Sequence, residues 1–242
     1  INMTKMLIEY WSDFICPYCY IAKQRMKNVM KELNIIDKFE FKLLSYELEP
    51  NAPKKRELNI VENYSKKYSM SIEQAKQEVD HINQLGKSEG IDFKYDTCRG
   101  GNTFKAHRLV KYIEKKGNNE NTEKIINLLF DAYFTKNFLI SDENFLINLG
   151  MEIGCKKEEL EKFLDSDELS LEVRQDEENA KSKGVHGVPY FMVNNEVIIG
   201  AASKTKMKKV LLRALNKLDE SKNDTHPEGV VCDDTGCYFK KK

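Results

Sequence analysis

The sequence predicts an α/β fold in which a strand–helix–strand unit and a later strand–hairpin–helix unit are separated by a long helical insertion. Three observations carry this expectation. The apolar run Met6-Leu-Ile-Glu-Tyr-Trp11 leads through a short turn into Cys16-Pro17-Tyr18-Cys19 and a helix-periodic stretch. Helical patterning then fills residues 58 to 183 almost without a break. Strand character returns only at Pro189-Tyr-Phe-Met-Val193, before a last amphipathic helix.

The elements follow in order. Met6–Trp11 reads as a buried strand, and Ser12-Asp13-Phe14-Ile15 turns the chain. Ala22, Met26, Val29, Met30 and Leu33 then form one apolar helix face. Pro17 falls in the first turn of that helix, where its missing N–H costs nothing. A second strand, Phe39–Leu48, is closed off by Pro50 and Pro53. In the helical stretch, Ser71-Ile-Glu-Gln74 has the capping-box pattern. Further helices are expected over Thr103–Lys116, Asn121–Lys136, Ser141–Gly150, Lys156–Leu164 and a segment ending at Gly184. Asn194-Asn195 suits a hairpin turn between Pro189–Val193 and Glu196–Ile199, since asparagine tolerates positive φ. Ser203 caps a helix with Met207, Val210, Leu211, Ala214, Leu215 and Leu218 on one side. Asp219–Pro227 reads as a polar linker to a tail holding Cys232 and Cys237. This order implies a thioredoxin core, residues 4–57 and 184–219, split by a helical insertion, 58–183, and followed by a flexible tail, 220–242.

Composition narrows the function. Lys plus Arg equals Asp plus Glu at 39 each, so no net charge argues for a nucleic-acid or anionic-membrane partner. No apolar run approaches the roughly 18 residues of a membrane span. Ile1-Asn2-Met3 leads straight into the first strand without signal-peptide character, so a cytoplasmic protein is expected. Six cysteines among 242 residues are too few to build a disulfide scaffold.

A dithiol at a strand-to-helix junction has the pattern of redox chemistry. At a helix N-terminus, Cys16 meets N–H groups and a positive dipole end that favour thiolate, and so would attack a disulfide. Cys19, three residues on, would resolve the mixed disulfide. The plainer alternatives are a buried structural pair or half of a zinc site; proline between the cysteines argues against zinc. Val188-Pro189 directly before a strand is an unusual place for proline. A cis bond there would bring the Val188 backbone to the dithiol and offer its N–H and C=O to an extended substrate. Pro17, Tyr18 and Val188 are therefore the expected substrate contacts. His107, on an apolar helix face, is a packing histidine or a second lining residue. His186 is a candidate cation near the thiols or an exposed loop residue. Asp13 and Glu9 would relay a proton from Cys19, or cap the turn and face solvent respectively. Cys98, beside Arg99-Gly100-Gly101, is expected to be an exposed lone thiol, and Cys155 a core one.

Ser-Asp-x-x-Cys-Pro-x-Cys-Tyr-Ile, Asn102-Thr-Phe-Lys-Ala-His107-Arg and Gly-Val-Pro-x-Phe together resemble DsbA-like proteins of the FrnE subgroup, over most of residues 6 to 218. The resemblance implies a thioredoxin fold with a helical insertion, dithiol chemistry at Cys16 and Cys19, a cis Pro189, and His107 lining the cleft. Tyr18 stands where tryptophan is usual and Ala22 where glycine is usual. A Cys-x₄-Cys extension like Cys232–Cys237 is also a trait of such proteins, and implies a tail pair exchanging electrons with Cys16–Cys19. The expected function is a dithiol–disulfide oxidoreductase or isomerase, with a disulfide-containing protein or small molecule as substrate and a cellular thiol as reductant. Glutathione is a candidate co-substrate, and no bound cofactor or metal is expected. The alternatives are a glutathione-dependent enzyme resembling 2-hydroxychromene-2-carboxylate isomerase or kappa-class glutathione transferase, and a zinc or holdase-like binding protein.

Overall fold

Strand β1 (Met6–Ser12) is the spine of the sheet. Helix α1 (Pro17–Glu32) carries the chain to β2 (Phe39–Ser45), which pairs parallel to β1 from Met6↔Phe39 to Ser12↔Ser45. On the other side β3 (Tyr190–Val193) runs antiparallel to β1, and β4 (Glu196–Ile199) antiparallel to β3, giving the order β2-β1-β3-β4. This is the thioredoxin fold, seen in a computed structural model that describes residues 4–222, 230–233 and 236–239.

Period-two alternation along β1 separates two cores. Ile8 and Tyr10 pack with Met26, Phe191 and Met207 in the main core, whereas Trp11 packs with Ala180 and Val185 on the opposite face. Helix α9 (Lys204–Lys222) covers the first face. It runs into the first four residues of the expected linker, Asp219-Glu-Ser-Lys222, which contain no helix breaker.

Between β2 and β3 lie α2 (Ile60–Tyr68), α3 (Ile72–Ser88), α4 (Phe104–Lys115), α5 (Asn119–Phe134), α6 (Glu143–Glu152), α7 (Lys157–Asp165) and α8 (Ser170–Ser182). The Ser71–Gln74 capping box is present, and Asn59 with Glu62 makes a second one on α2. The helical patterning breaks between residues 89 and 103, where only a short 3₁₀ turn, Tyr95–Thr97, interrupts extended chain. Gly86 lets that chain fold back, since a Cβ there would lie 2.5 Å from the Phe93 ring.

Strand β2 ends at Ser45, short of the expected Leu48. Its continuation peels off to meet the end of β1: Tyr46 N–H donates to the Ser12 carbonyl and Leu48 N–H to the Asp13 carboxylate. The hairpin turn has Asn194 at φ +55°. In the tail, β5 (Val230–Asp233) and β6 (Gly236–Phe239) pair antiparallel, with the backbones of Cys232 and Cys237 directly opposite. The later part of the expected linker, 223–227, lies outside the described residues, as do 228–229 and 234–235. Among the described residues no helix is long and apolar enough to cross a membrane.

Candidate active site

The turn after β1 is closed by the Cys16 N–H, which donates to the Asp13 carbonyl at 3.2 Å. Cys16 then caps α1 in extended conformation, Pro17 is the first helical residue, and Cys19 N–H donates to the Cys16 carbonyl at 3.2 Å. The Cys16 sulfur makes no capping bond to the helix N–H groups. It turns instead to the Val188 carbonyl, 3.7 Å away, across the cis Val188–Pro189 bond. Loops 14–19 and 188–189 therefore meet at one sulfur.

Both thiols are free and buried, yet only Cys16 lines a cleft. That cleft, of about 220 Å³, runs from Ile15–Tyr18 and Val188 to α2, which contributes Ile60, Asn63, Tyr64, Lys67 and Tyr68. Arg56, ion-paired with Glu49, forms part of its wall and also borders a larger, more open hollow of about 820 Å³ that neither Cys16 nor Cys19 lines. Cys19 lies behind Cys16. Burial pushes its thiol well above the ordinary range, as does the hydrogen bond and charge of Cys16, while the Ser12 hydroxyl and Asp13 N–H pull the other way.

Asp13 supports the turn from behind. Its carboxylate is fully buried and accepts from Phe14 N–H (2.8 Å), Leu48 N–H (2.8 Å) and His107 Nε2 (3.0 Å). Nε2–H donates in that bond, and Nδ1 is buried with no partner among the described residues. His107 is fully buried, its ring 4.9 Å from that of Phe14, so it stands behind the dithiol turn and does not line the cleft. The implied cleft position fails because α4 presents this face to the core.

The other parts of the same motif are anchors too. Asn102 Nδ2 donates to the carbonyls of Pro50 (3.2 Å) and Ala52 (3.3 Å), and its Oδ1 receives Phe104 N–H. Arg108 donates to the carbonyls of Phe163, Ser166 and Glu168, closing the C-terminal end of α7.

Among the remaining candidates, Pro17, Tyr18 and Val188 line the cleft; Pro189 is buried just behind them. His186 is exposed and outside the cleft. Glu9 alternates with Ile8 and Tyr10 and so faces away from the side of β1 that packs on α1. Cys98 is buried and not exposed: its thiol meets the Tyr133 carbonyl at 3.2 Å, and burial pushes its pKa up. Cys155 is half-buried rather than core.

Two features escape the sequence reading. The aromatic and cationic wall from α2 carries no motif. Lys23 does leave a trace, four residues after Cys19 on the buried stripe Cys19, Lys23, Met26, Met30, a charge where an apolar residue belongs.

The family model described as "DSBA-like thioredoxin domain" matches residues 7–212, and the chain belongs to that family, a class of thiol–disulfide oxidoreductases. The chain is similar, at 26% identity and a TM-score of 0.81, to a probable DsbA oxidoreductase from Streptomyces coelicolor, with 98% of this chain and 100% of that one covered. It shares its fold with a 2-hydroxychromene-2-carboxylate isomerase (16% identity, TM-score 0.64, 92% and 100% covered). It also shares it with a cytosolic disulfide reductase from Pseudomonas aeruginosa solved with GSH (12%, 0.57, 90% and 100%).

Proposed function

We propose that the chain is a dithiol reductant or isomerase of disulfides, with Cys16 as nucleophile and Cys19 as resolving thiol. One observation carries the division of labour: Cys16 opens onto the cleft and Cys19 does not. The Cys16 thiolate attacks a substrate disulfide R–S–S–R′, forming Cys16–S–S–R and releasing R′S⁻. Cys19 then gives up its proton and attacks the Cys16 sulfur. The Cys16–Cys19 disulfide forms, RS⁻ leaves, and a cellular thiol reduces the enzyme again. The Val188 carbonyl, held 3.7 Å from the Cys16 sulfur, gives an extended substrate a backbone acceptor beside the reacting atom.

The cleft's size and its polar groups, Asn63, Arg56 and Lys67 among tyrosines, suit a small carboxylate-bearing thiol such as glutathione as co-substrate. Cys98 and Cys155 stand as free thiols, which fits work in a reducing cytoplasm. The proposed domain division at residues 57/58 and 183/184 is supported by the start of α2 at Ile60 and the end of α8 at Ser182. The facing backbone positions of Cys232 and Cys237 support a second redox couple that hands electrons to the first.

The test is equilibration across glutathione and dithiothreitol redox buffers, alkylation, and mapping by mass spectrometry. Cys16 and Cys19 should be lost and regained as a pair, and Cys19→Ser should accumulate a glutathione adduct on Cys16. If the two never pair at any poise, the dithiol reading fails. Glutathione-dependent isomerisation surviving Cys19→Ser would put the isomerase reading in its place. Deleting residues 228–242 should slow turnover; unchanged kinetics with every reductant would remove the tail from the reaction.

A further inference from the structure

The reacting sulfur lies at the end of a narrow way. Cys16 is 3% exposed, and the cleft that opens onto it holds about 220 Å³. Clefts that take drug-sized ligands run to about 300–1,000 Å³, so this one has room for one small arm of a disulfide at a time. The hollow of about 820 Å³ lies next to it with ample room, yet stops short of both thiols.

The two spaces meet at a single side chain. Helix α2 turns Asn59, Val61 and Glu62 to the hollow but Ile60, Asn63 and Tyr64 to the cleft. The neighbouring chain divides in the same way, with Thr97–Arg99 on the hollow and Gly100 on the cleft. Among the described residues only Arg56 lines both. It is held on three sides. Its guanidinium is ion-paired with Glu49 and donates to Asn63 Oδ1 at 3.3 Å. Its stem lies against Gly100, where a Cβ would come within 2.6 Å of Arg56 Cδ. The backbone leading to it is tied down as well: Asn102 N–H donates to the Pro53 carbonyl at 3.0 Å and the Ser141 hydroxyl to the Lys54 carbonyl.

We propose that Arg56 is the size-determining residue of the site: it closes the Cys16 cleft against the hollow and so selects small disulfides over protein ones. The proposal rests on the dithiol reading above and names its substrate class. Both halves of the substrate use the cleft in turn. R′S⁻ leaves as Cys16–S–S–R forms, and RS⁻ leaves as Cys19 displaces it; each takes its proton from water. Small R and R′ groups pass one after the other. A protein disulfide instead brings chain on both sides of each sulfur, and an arm running from Cys16 between α2 and Gly100 meets the Arg56–Glu49 pair. To go further it has to break that pair and the Asn63 bond together. A clash built against the unwanted partner is one of the two ways a site discriminates.

The experiment compares two disulfides in a single turnover. Reduced protein is mixed with bis(2-hydroxyethyl) disulfide, which is small and uncharged, or with insulin, and loss of alkylatable Cys16 and Cys19 is followed by mass spectrometry. Each rate is divided by that of dithiothreitol with the same disulfide, which removes the difference in intrinsic reactivity. The wild type should favour the small disulfide on the order of 100-fold, the scale that fit to a pocket supplies. Arg56→Ala should narrow that ratio by about tenfold or more by raising the insulin rate, because the cleft then runs on into the hollow. Gly100→Ala displaces the arginine without removing its charge and should shift the ratio the same way, which separates size from charge and carries the test should Arg56→Ala not fold. Insulin oxidising the wild type as readily as the small disulfide does, or a ratio that Arg56→Ala leaves unchanged, overturns the proposal. If neither disulfide converts Cys16 and Cys19 to a pair, the dithiol reading itself falls and takes this proposal with it.

Discussion

Replacing Lys23 by methionine should stabilise the protein at neutral pH. Burial holds the folded-state pKa near 8 against 10.5 for the free group, and that difference corresponds to on the order of 3 kcal/mol. Below pH 8 the amine is protonated folded and unfolded alike, so the folded chain carries the whole cost of the buried cation. Between pH 8 and 10.5 only the unfolded chain binds the proton, and wild-type stability rises with pH. Above 10.5 the cost is gone. The advantage of Lys23→Met is therefore largest below pH 8 and vanishes above 10.5. Methionine suits the site because it is unbranched and adapts to the volume, and Glu123 keeps Lys27 at 3.2 Å. Urea unfolding of both proteins at one-unit intervals from pH 6 to 10 measures the difference, and other titrating groups cancel because both proteins share them. A variant less stable than wild type at pH 7, or a gap that does not narrow between pH 8 and 10, would refute the reasoning.

Two further outcomes follow from the buried polar groups around the site. His107→Leu removes one of three donors from the buried Asp13 carboxylate and should cost about 1.5–3 kcal/mol, read as a lower urea midpoint; no loss would mean the pair contributes nothing. Glu47, raised to about 8 by burial and then by Glu177, binds a proton when folded that it lacks when unfolded between pH 4.5 and 8. Wild-type stability should fall with rising pH across that window, and Glu47→Gln should remove the fall; a thermal-denaturation series in which the two proteins stay parallel from pH 4 to 9 excludes it.

Local signals made much of this molecule legible. The hairpin 190–199 and the capping box at Ser71 are written in neighbouring residues, and the junction of β1 with the dithiol helix lies within about a dozen positions. Pro189 stood out because proline before a strand has few uses. What stayed hidden depends on distant partners. Asp13 and His107 lie 94 residues apart, and the bond between them fixes whether the histidine faces cleft or core. The early end of β2 has the same origin, since Leu48 is drawn away by a carboxylate 35 residues earlier. Cys98 looked exposed because Gly100-Gly101 suggests a mobile loop, but those glycines permit close packing: a Cβ on Gly101 would lie 2.5 Å from the Lys54 carbonyl.

The first turn and a half of α4, with the residues just before it, joins three otherwise separate pieces of chain: Asn102 takes the 50–53 loop, His107 the carboxylate behind the dithiol, and Arg108 the end of α7. Seven consecutive residues thus act as the mortise between an exchangeable helical cap and the reaction centre. In grafting experiments, a foreign insertion that lacks this segment would leave both cysteines in sequence but take away what braces them. One that keeps it could vary the remaining helices, and with them the cleft wall, without moving the sulfurs.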